Sequence, residues 1–185
     1  MSVNVGDVVE VELQRPAHGG FCVGRYDGQV IFVRHAIPGE VVRAEITELG
    51  SSGSFARAEV ESVVAASPDR VTPRCPHAIP GGCGGCDWQH VTLERQRSMK
   101  AEIIREQLVR VGRYDAMDPL LTGLTVEPCG DDEDGFGYRT RMDFVADTRG
   151  RIGLRSPRSH DVIPLTSCPL AVPSINDSEA FHQPW

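Results

Sequence analysis

Apolar and acidic residues alternate with period two through Val9-Glu10-Val11-Glu12-Leu13. That is the pattern of a strand with one buried face. Phe21-Cys-Val-Gly-Arg25 and Val30-Ile-Phe-Val33 continue it. Between them, Tyr26-Asp27-Gly28-Gln29 places Asp-Gly at the centre of a hairpin. Arg15 to Gly20 breaks the first strand, and Ile37-Pro-Gly-Glu40 makes the turn before Val41 to Ile46. A polar turn with Gly53 precedes Phe55 to Val60. Five short strands at this spacing predict a small closed barrel of the OB type over residues 1–66, because closure removes exposed edges.

The pattern then changes. Ser67 to Arg74 holds two prolines and reads as a linker. From Val91 to Gly112 the period becomes 3.6, with Leu93, Ile103, Ile104, Leu108 and Val111 on one face. Thr92 can cap this helix, Glu94 suits its first turn, and Gly112 fits its end. Glu106 and Arg110 form an i,i+4 pair, and Lys100 sits at the stripe's edge with its ammonium toward water. Beyond an acidic turn at Asp131-Asp132-Glu133-Asp134, alternation predicts strands over Tyr138–Ala146, Arg151–Arg155 and Asp161–Leu165. The first of these would carry Arg139, Arg141 and Asp143 on one face. The expected fold is mainly β with an α+β remainder: barrel, cysteine-rich loop, one long helix and a small antiparallel sheet. The expected divisions are 1–66, 67–90 and 91–185. No glycine-rich strand–helix turn followed by a ribose-binding acid is present, so no Rossmann domain is expected.

Composition adds bounds. The chain has 185 residues, 40% hydrophobic and 24% charged, with a net charge of −7. That balance opposes indiscriminate nucleic-acid binding, yet the charge is uneven. Arg139 to Arg158 holds six Arg against Asp143 and Asp147, and Glu94 to Arg113 holds five Arg and Lys100 against three Glu. No run approaches the ~18 apolar residues of a membrane span. The start, Met-Ser-Val-Asn-Val-Gly-Asp, has neither the basic nor the apolar region of a secretory signal. A cytoplasmic protein is expected, in which cysteines serve as ligands or buried thiols before disulfides.

The chemistry concentrates in Cys75-Pro-His-Ala-Ile-Pro-Gly-Gly-Cys83-Gly-Gly-Cys86. Gly81, Gly82, Gly84 and Gly85 give the loop backbone freedom to curl three thiols toward one point. Cys168, followed by Pro169, is the best fourth. Thiolates are soft ligands, and this spacing leaves an iron–sulfur cluster, zinc and a metal-free loop all open. His77 and His90 are substitute ligands. Cys22 reads as a packed thiol, and Cys129 has no evident partner.

Ala17-His-Gly-Gly-Phe-Cys-Val-Gly-Arg25 and Val33-Arg-His-Ala-Ile-Pro-Gly-Glu40 resemble the TRAM domain of RNA-modifying enzymes. With Cys83-Gly-Gly-Cys86-Asp-Trp-Gln-His90, Tyr138-Arg-Thr-Arg141 and Ser167-Cys-Pro-Leu170, the order is similar to the N-terminal part of the RNA (uracil-5-)-methyltransferases, ribosomal-RNA branch. The resemblance implies a [4Fe–4S] cluster on Cys75, Cys83, Cys86 and Cys168. It implies RNA, ribosomal RNA foremost, as partner; Arg25, Arg34 and His35 near the barrel turns, and Tyr138, Arg139 and Arg141 on the basic strand face, are the expected contacts. A monomer is expected, with no membrane or DNA partner. S-adenosylmethionine and the catalytic residues would belong to a further Rossmann-like domain of a full-length parent. This chain alone is therefore expected to lack activity. The alternative is a stand-alone TRAM RNA-binding protein with a structural Fe–S or zinc site. Methylthiotransferases also join TRAM to Fe–S, but with a C-x3-C-x2-C motif that is absent here.

Overall fold

The computed structural model describes residues 3–51, 53–129, 134–181, 183 and 185. Five strands, β1 (Val8–Ala17), β2 (Phe21–Tyr26), β3 (Gln29–Arg34), β4 (Val41–Leu49) and β5 (Phe55–Ala65), close a barrel in the order β1-β2-β3-β5-β4. All neighbours are antiparallel except β3 and β5, which run parallel. Alternate residues turn inward: Val9, Val11 and Leu13 from β1, Val42, Ala44 and Ile46 from β4, Ala56, Ala58 and Val60 from β5. The hairpin forms as the Asp-Gly pair predicts. Asp27 and Gly28 both have positive φ, 47° and 81°, the geometry of a type I′ turn.

The expected break at Arg15 does not occur. β1 continues to Ala17 through a bulge between Leu13 and Arg15, after its pairing with β4 has ended at Glu12. Pro16 therefore sits where one side of the strand needs no ladder donor, a position that proline tolerates.

One buried carboxylate organises the exit from the barrel. Glu40 is fully buried. It accepts N–H bonds from Ile37 (2.9 Å) and Ser67 (3.1 Å), and Arg70 clamps it with Nε and Nη2, each at 2.6 Å. Arg70 Nη2 also donates to the His35 carbonyl (2.8 Å). Asp69, next in the chain, accepts from the Thr92 N–H and hydroxyl. Thr92 in turn caps helix α1 (Leu93–Arg110), accepting from Arg95 N–H.

The buried residues of α1 are Met99 and Ala101. The expected apolar stripe is only partly covered: Leu93, Ile103 and Leu108 are half-buried, while Ile104 and Val111 are exposed. Arg15 of β1 pairs with Glu106 of this helix at 2.8 Å. Glu106 lies 3.7 Å from Arg110, and Lys100 is exposed. The left-handed residue after the helix is Arg113 (φ 59°), not Gly112. Gly112 is needed for space, since a Cβ there would lie 2.6 Å from the Leu108 carbonyl oxygen.

Beyond α1 lie a short helix α2 (Pro119–Thr122), strands β6 (Val145–Ala146), β7 (Ile152–Arg155) and β8 (Val162–Pro164), helix α3 (Pro173–Asn176) and a 3-10 turn (Glu179–Phe181). The last three strands form an antiparallel sheet in chain order. Of the expected strand over 138–146, only Val145–Ala146 pairs with a neighbouring strand. Arg139 instead makes an isolated bridge with Ala171. The acidic run Asp131-Asp132-Glu133 lies outside the described residues. No helix among those described is long and apolar enough to cross a membrane.

Two compact units result, each built from two segments: Met1–Val71 with His90–Glu127, and Thr72–Gln89 with Pro128–Trp185. The long helix thus groups with the barrel, and the cysteine loop groups with the small sheet.

Replacing Glu40 with Gln leaves Arg70 without its counter-charge and is expected to cost about 3–5 kcal/mol in urea unfolding. Burial alone would raise the Glu40 carboxyl, but Arg70 and the Ser67 and Ile37 N–H groups outweigh it and hold it below the usual range. His90, buried in the same unit, is pushed down to about 4, chiefly by burial and then by Arg70. Both folded values lie below the unfolded ones, so both groups favour the fold at neutral pH and lose that contribution on acidification. Stability should begin to fall below pH 6.5 through His90 and fall further below pH 4.5 through Glu40. A His90→Gln variant should lack the first limb in urea midpoints taken from pH 7 to pH 4.

Candidate functional site

The three cysteines of the loop and Cys168 line a single cavity, with Gln89 and Arg139 also in its wall. All belong to one compact unit. Tight local turns shape the loop: Ala78 N–H donates to Cys75 O, Gly82 to Ile79 O, and Cys83 to His77 O (2.8 Å). Of the four glycines, only Gly81 has a positive φ (70°). Gly82 and Gly84 are required for room, not for backbone freedom, and Gly85 sits in a tight approach. A Cβ on Gly82 would lie 2.3 Å from His77 O, one on Gly84 2.9 Å from Arg155 O, and one on Gly85 3.3 Å from Cys83 Sγ.

Cys168 is presented from the far end of the unit. Asn176 Oδ1 accepts its N–H (2.8 Å), while Asn176 Nδ2 donates to its carbonyl (3.0 Å). Cys168, Leu170 and Ala171 form a small apolar core against which Cys86, Phe136 and Met142 pack. The loop is tied to the sheet by Gly84 N–H to Arg155 O (3.0 Å). Arg74 stacks over Phe136 at 4.3 Å and pairs with Asp134 at 2.6 Å.

Donors reach the sulfurs themselves. Gly85 N–H lies 3.3 Å from Cys83 Sγ, and Gln89 Nε2 lies 3.1 Å from Cys86 Sγ. Burial pushes the Cys86 thiol up to about 11 and raises Cys83, while these N–H groups pull the other way. Among the described residues, no group of three or more His, Cys, Asp or Glu side chains is placed to hold a metal ion. The four thiols share a wall without forming a ready-made single-ion cage. His77 lies in the same wall. His90 does not: it belongs to the barrel unit, buried with Nε2 3.3 Å from Ala36 O. Cys22 is wholly buried and donates to Ala36 O, its thiol pushed up to about 12 by burial and then by Glu40. Cys129 is exposed.

The six expected RNA contacts are scattered. Arg25 is exposed at the hairpin, where it donates to Gly28 O. Arg34 and His35 are buried: Glu59, across the parallel β3–β5 ladder, lies 3.6 Å from Arg34 Nε and 2.9 Å from His35 Nδ1. Tyr138 and Arg141 are exposed, but Arg139 turns into the cysteine cavity.

An aromatic row on the barrel exterior was not singled out by the sequence. Phe21, Phe32 and Phe55, all half-buried on β2, β3 and β5, meet edge to face at 6.1 and 5.6 Å. Arg57 lies over Phe55 at 5.0 Å and over Phe21 at 5.9 Å, while its Nη1 pairs with Glu48 at 2.6 Å. The signal was present as outward positions of alternating strands, but only the β3–β5 pairing brings them together.

Residues 2–60 match the TRAM domain. The chain is 41% identical, over 98% of its length, to an uncharacterized RNA methyltransferase of Streptomyces avermitilis, of which it covers 43%. It is 38% identical, over 90% of its length, to the 23S rRNA (uracil(1939)-C(5))-methyltransferase RlmD of Halomonas elongata, of which it covers 33%. The tRNA (uracil-54, C5)-methyltransferase of Pyrococcus abyssi, solved with S-adenosyl-L-homocysteine, matches 90% of this chain and 34% of its own at a TM-score of 0.55 and 23% identity. That last likeness shows a shared fold. The chain spans roughly a third to two fifths of the length of these curated relatives.

A Gly84→Ala substitution should displace the cysteine loop from Arg155 at a cost of about 1–3 kcal/mol. Faster reaction of Cys75, Cys83 and Cys168 with a thiol reagent is the expected sign, whereas an unchanged rate would mean the loop holds without that contact.

Proposed function

We propose that this chain, a TRAM-bearing member of the RNA methyltransferase family over the span it covers, is the RNA-binding portion of a uracil-C5 methyltransferase acting on ribosomal RNA, and that it carries a [4Fe–4S] cluster. The alignment of nearly the whole chain with named RNA methyltransferases supports the first part. The convergence of Cys75, Cys83, Cys86 and Cys168 on one cavity supports the second. A cytoplasmic setting suits both ribosomal RNA and reduced thiols.

The donor set fits such a group. Four thiolates are the usual ligands of a [4Fe–4S] cluster, and Gly85 brings its backbone against Cys83 Sγ where a side chain would intrude. Bound there, the cluster would supply cross-linking of the loop to the sheet rather than a reaction step. Methyl transfer from S-adenosylmethionine would lie with the part of the relatives that this chain does not span. The chain's own work is to hold RNA.

The barrel exterior is the proposed contact surface. Partly exposed aromatic rings accept unpaired bases by stacking regardless of sequence. Phe21, Phe32, Phe55 and Arg57 offer that surface, with Arg25 at its rim for a phosphate. Buried Arg34 and His35 serve to shape it from beneath. Tyr138 and Arg141 offer a second, exposed contact on the other unit.

Phe32→Ala should weaken binding of an unpaired ribosomal-RNA oligonucleotide by about 1–3 kcal/mol, measured by fluorescence anisotropy. Wild-type affinity should fall steeply with salt; a flat salt response would exclude phosphate contacts. Iron and sulfide, assayed on anaerobically purified protein, should approach four of each per chain, the content of one [4Fe–4S] cluster. Zinc without sulfide would overturn the cluster assignment. Cys168→Ala should lower the iron content and open residues 128–170 to protease.

A further inference from the structure

Gln89 joins two of the cavity's cysteines through one planar amide. Its Oε1 accepts the Cys75 backbone N–H at 3.1 Å, and its Nε2 lies 3.1 Å from Cys86 Sγ. The orientation of the amide follows from chemistry. A backbone N–H can only donate, so the oxygen must face Cys75, and the NH2 group is left facing sulfur. Gln89 stands three residues after Cys86 and fourteen after Cys75, so the side chain closes the cysteine loop upon itself. Cys86 is the one of the four cysteines whose residue is half-buried rather than buried.

From this geometry we infer that Gln89 is the positioning residue that holds Cys86 as a thiolate ligand and tunes the iron–sulfur cluster proposed above. The inference rests on that cluster reading. An N–H aimed at a ligand sulfur draws electron density from it and favours the reduced cluster. Hydrogen bonds to sulfur are among the factors that set such potentials. Partners of this outer kind also secure the ligand itself, and their loss commonly costs 10–100-fold in metal affinity. Gly85 N–H does the same for Cys83 at 3.3 Å, but it is backbone and cannot be varied. Gln89 can.

Two substitutions separate holding from tuning. Gln89→Glu is nearly isosteric and keeps an oxygen for the Cys75 N–H, but turns an acceptor toward Cys86 Sγ. Gln89→Leu removes both bonds. The full chain and both variants would be purified anaerobically, assayed for iron and sulfide, titrated for midpoint potential by visible and EPR spectra, and followed for cluster bleaching in air. The expected result is a loaded wild-type protein, a lower potential in both variants, iron held roughly ten- to a hundred-fold more weakly, and faster bleaching. If Gln89→Glu matches wild type while Gln89→Leu does not, the amide only spaces the loop and the tuning role is wrong. If both variants match a loaded wild type, the whole inference falls while the cluster stands. A wild-type chain that lacks iron and sulfide even after reconstitution defeats the cluster reading itself, and the inference with it.

Discussion

The barrel unit depends on how a single buried carboxylate is neutralised. Glu40 has no access to water, and an isolated charge in such a place would be prohibitive. Four donors make it tolerable, and they come from three places: the turn before it, the segment leaving β5, and the guanidinium of Arg70. Because the charge must be satisfied, those pieces have little freedom to sit elsewhere. Through Asp69 and Thr92 the constraint extends to the start of α1. One Pro-Gly-Glu turn therefore fixes the barrel's closing loop, its exit strap and the helix that follows.

The cysteine unit solves a different problem by different means. Its Arg74–Asp134 pair is exposed and anchors little. Steric fit anchors it, with Gly82 and Gly84 placed where backbone comes too close for a side chain and Gly85 in a tight approach to Cys83 Sγ. The thiols are held by short-range turns, and the remote Cys168 is steered into place by Asn176 on both its N–H and its carbonyl. The apolar face around Leu170 and Ala171 supplies the remaining cohesion.

Local signals in the sequence translated well. The Asp-Gly hairpin, the alternation of β1 and the Thr92 cap each depend on neighbours within a few residues, and each forms as read. The four cysteines singled out by their spacing line one cavity. What could not be read depends on pairing across distance. Arg34 and His35 look like surface residues until β5 brings Glu59 alongside β3. Phe32 looks like core until the same pairing sets it outside with Phe55 and Arg57. The alternation from Tyr138 promised a long strand, yet Arg139 bridges to Ala171 and turns into the cavity. The apolar stripe of α1 holds only in part: Leu93, Ile103 and Leu108 are half-buried, while the residues that the helix buries are Met99 and Ala101.

Each unit is assembled from two stretches separated in the chain, and synthesis delivers them out of step. The barrel's residues are complete once Glu127 has emerged from the ribosome. Cys75, Cys83 and Cys86 are made earlier than that, but 81 residues lie between Cys86 and Cys168. At roughly 5–20 residues per second, three thiols wait about 4–16 seconds for the fourth. During that interval the nascent polypeptide displays an unfinished set of sulfurs, open to oxidants and to stray ions. Chaperoned delivery or a strongly reducing surrounding would matter most to this protein while it is being made.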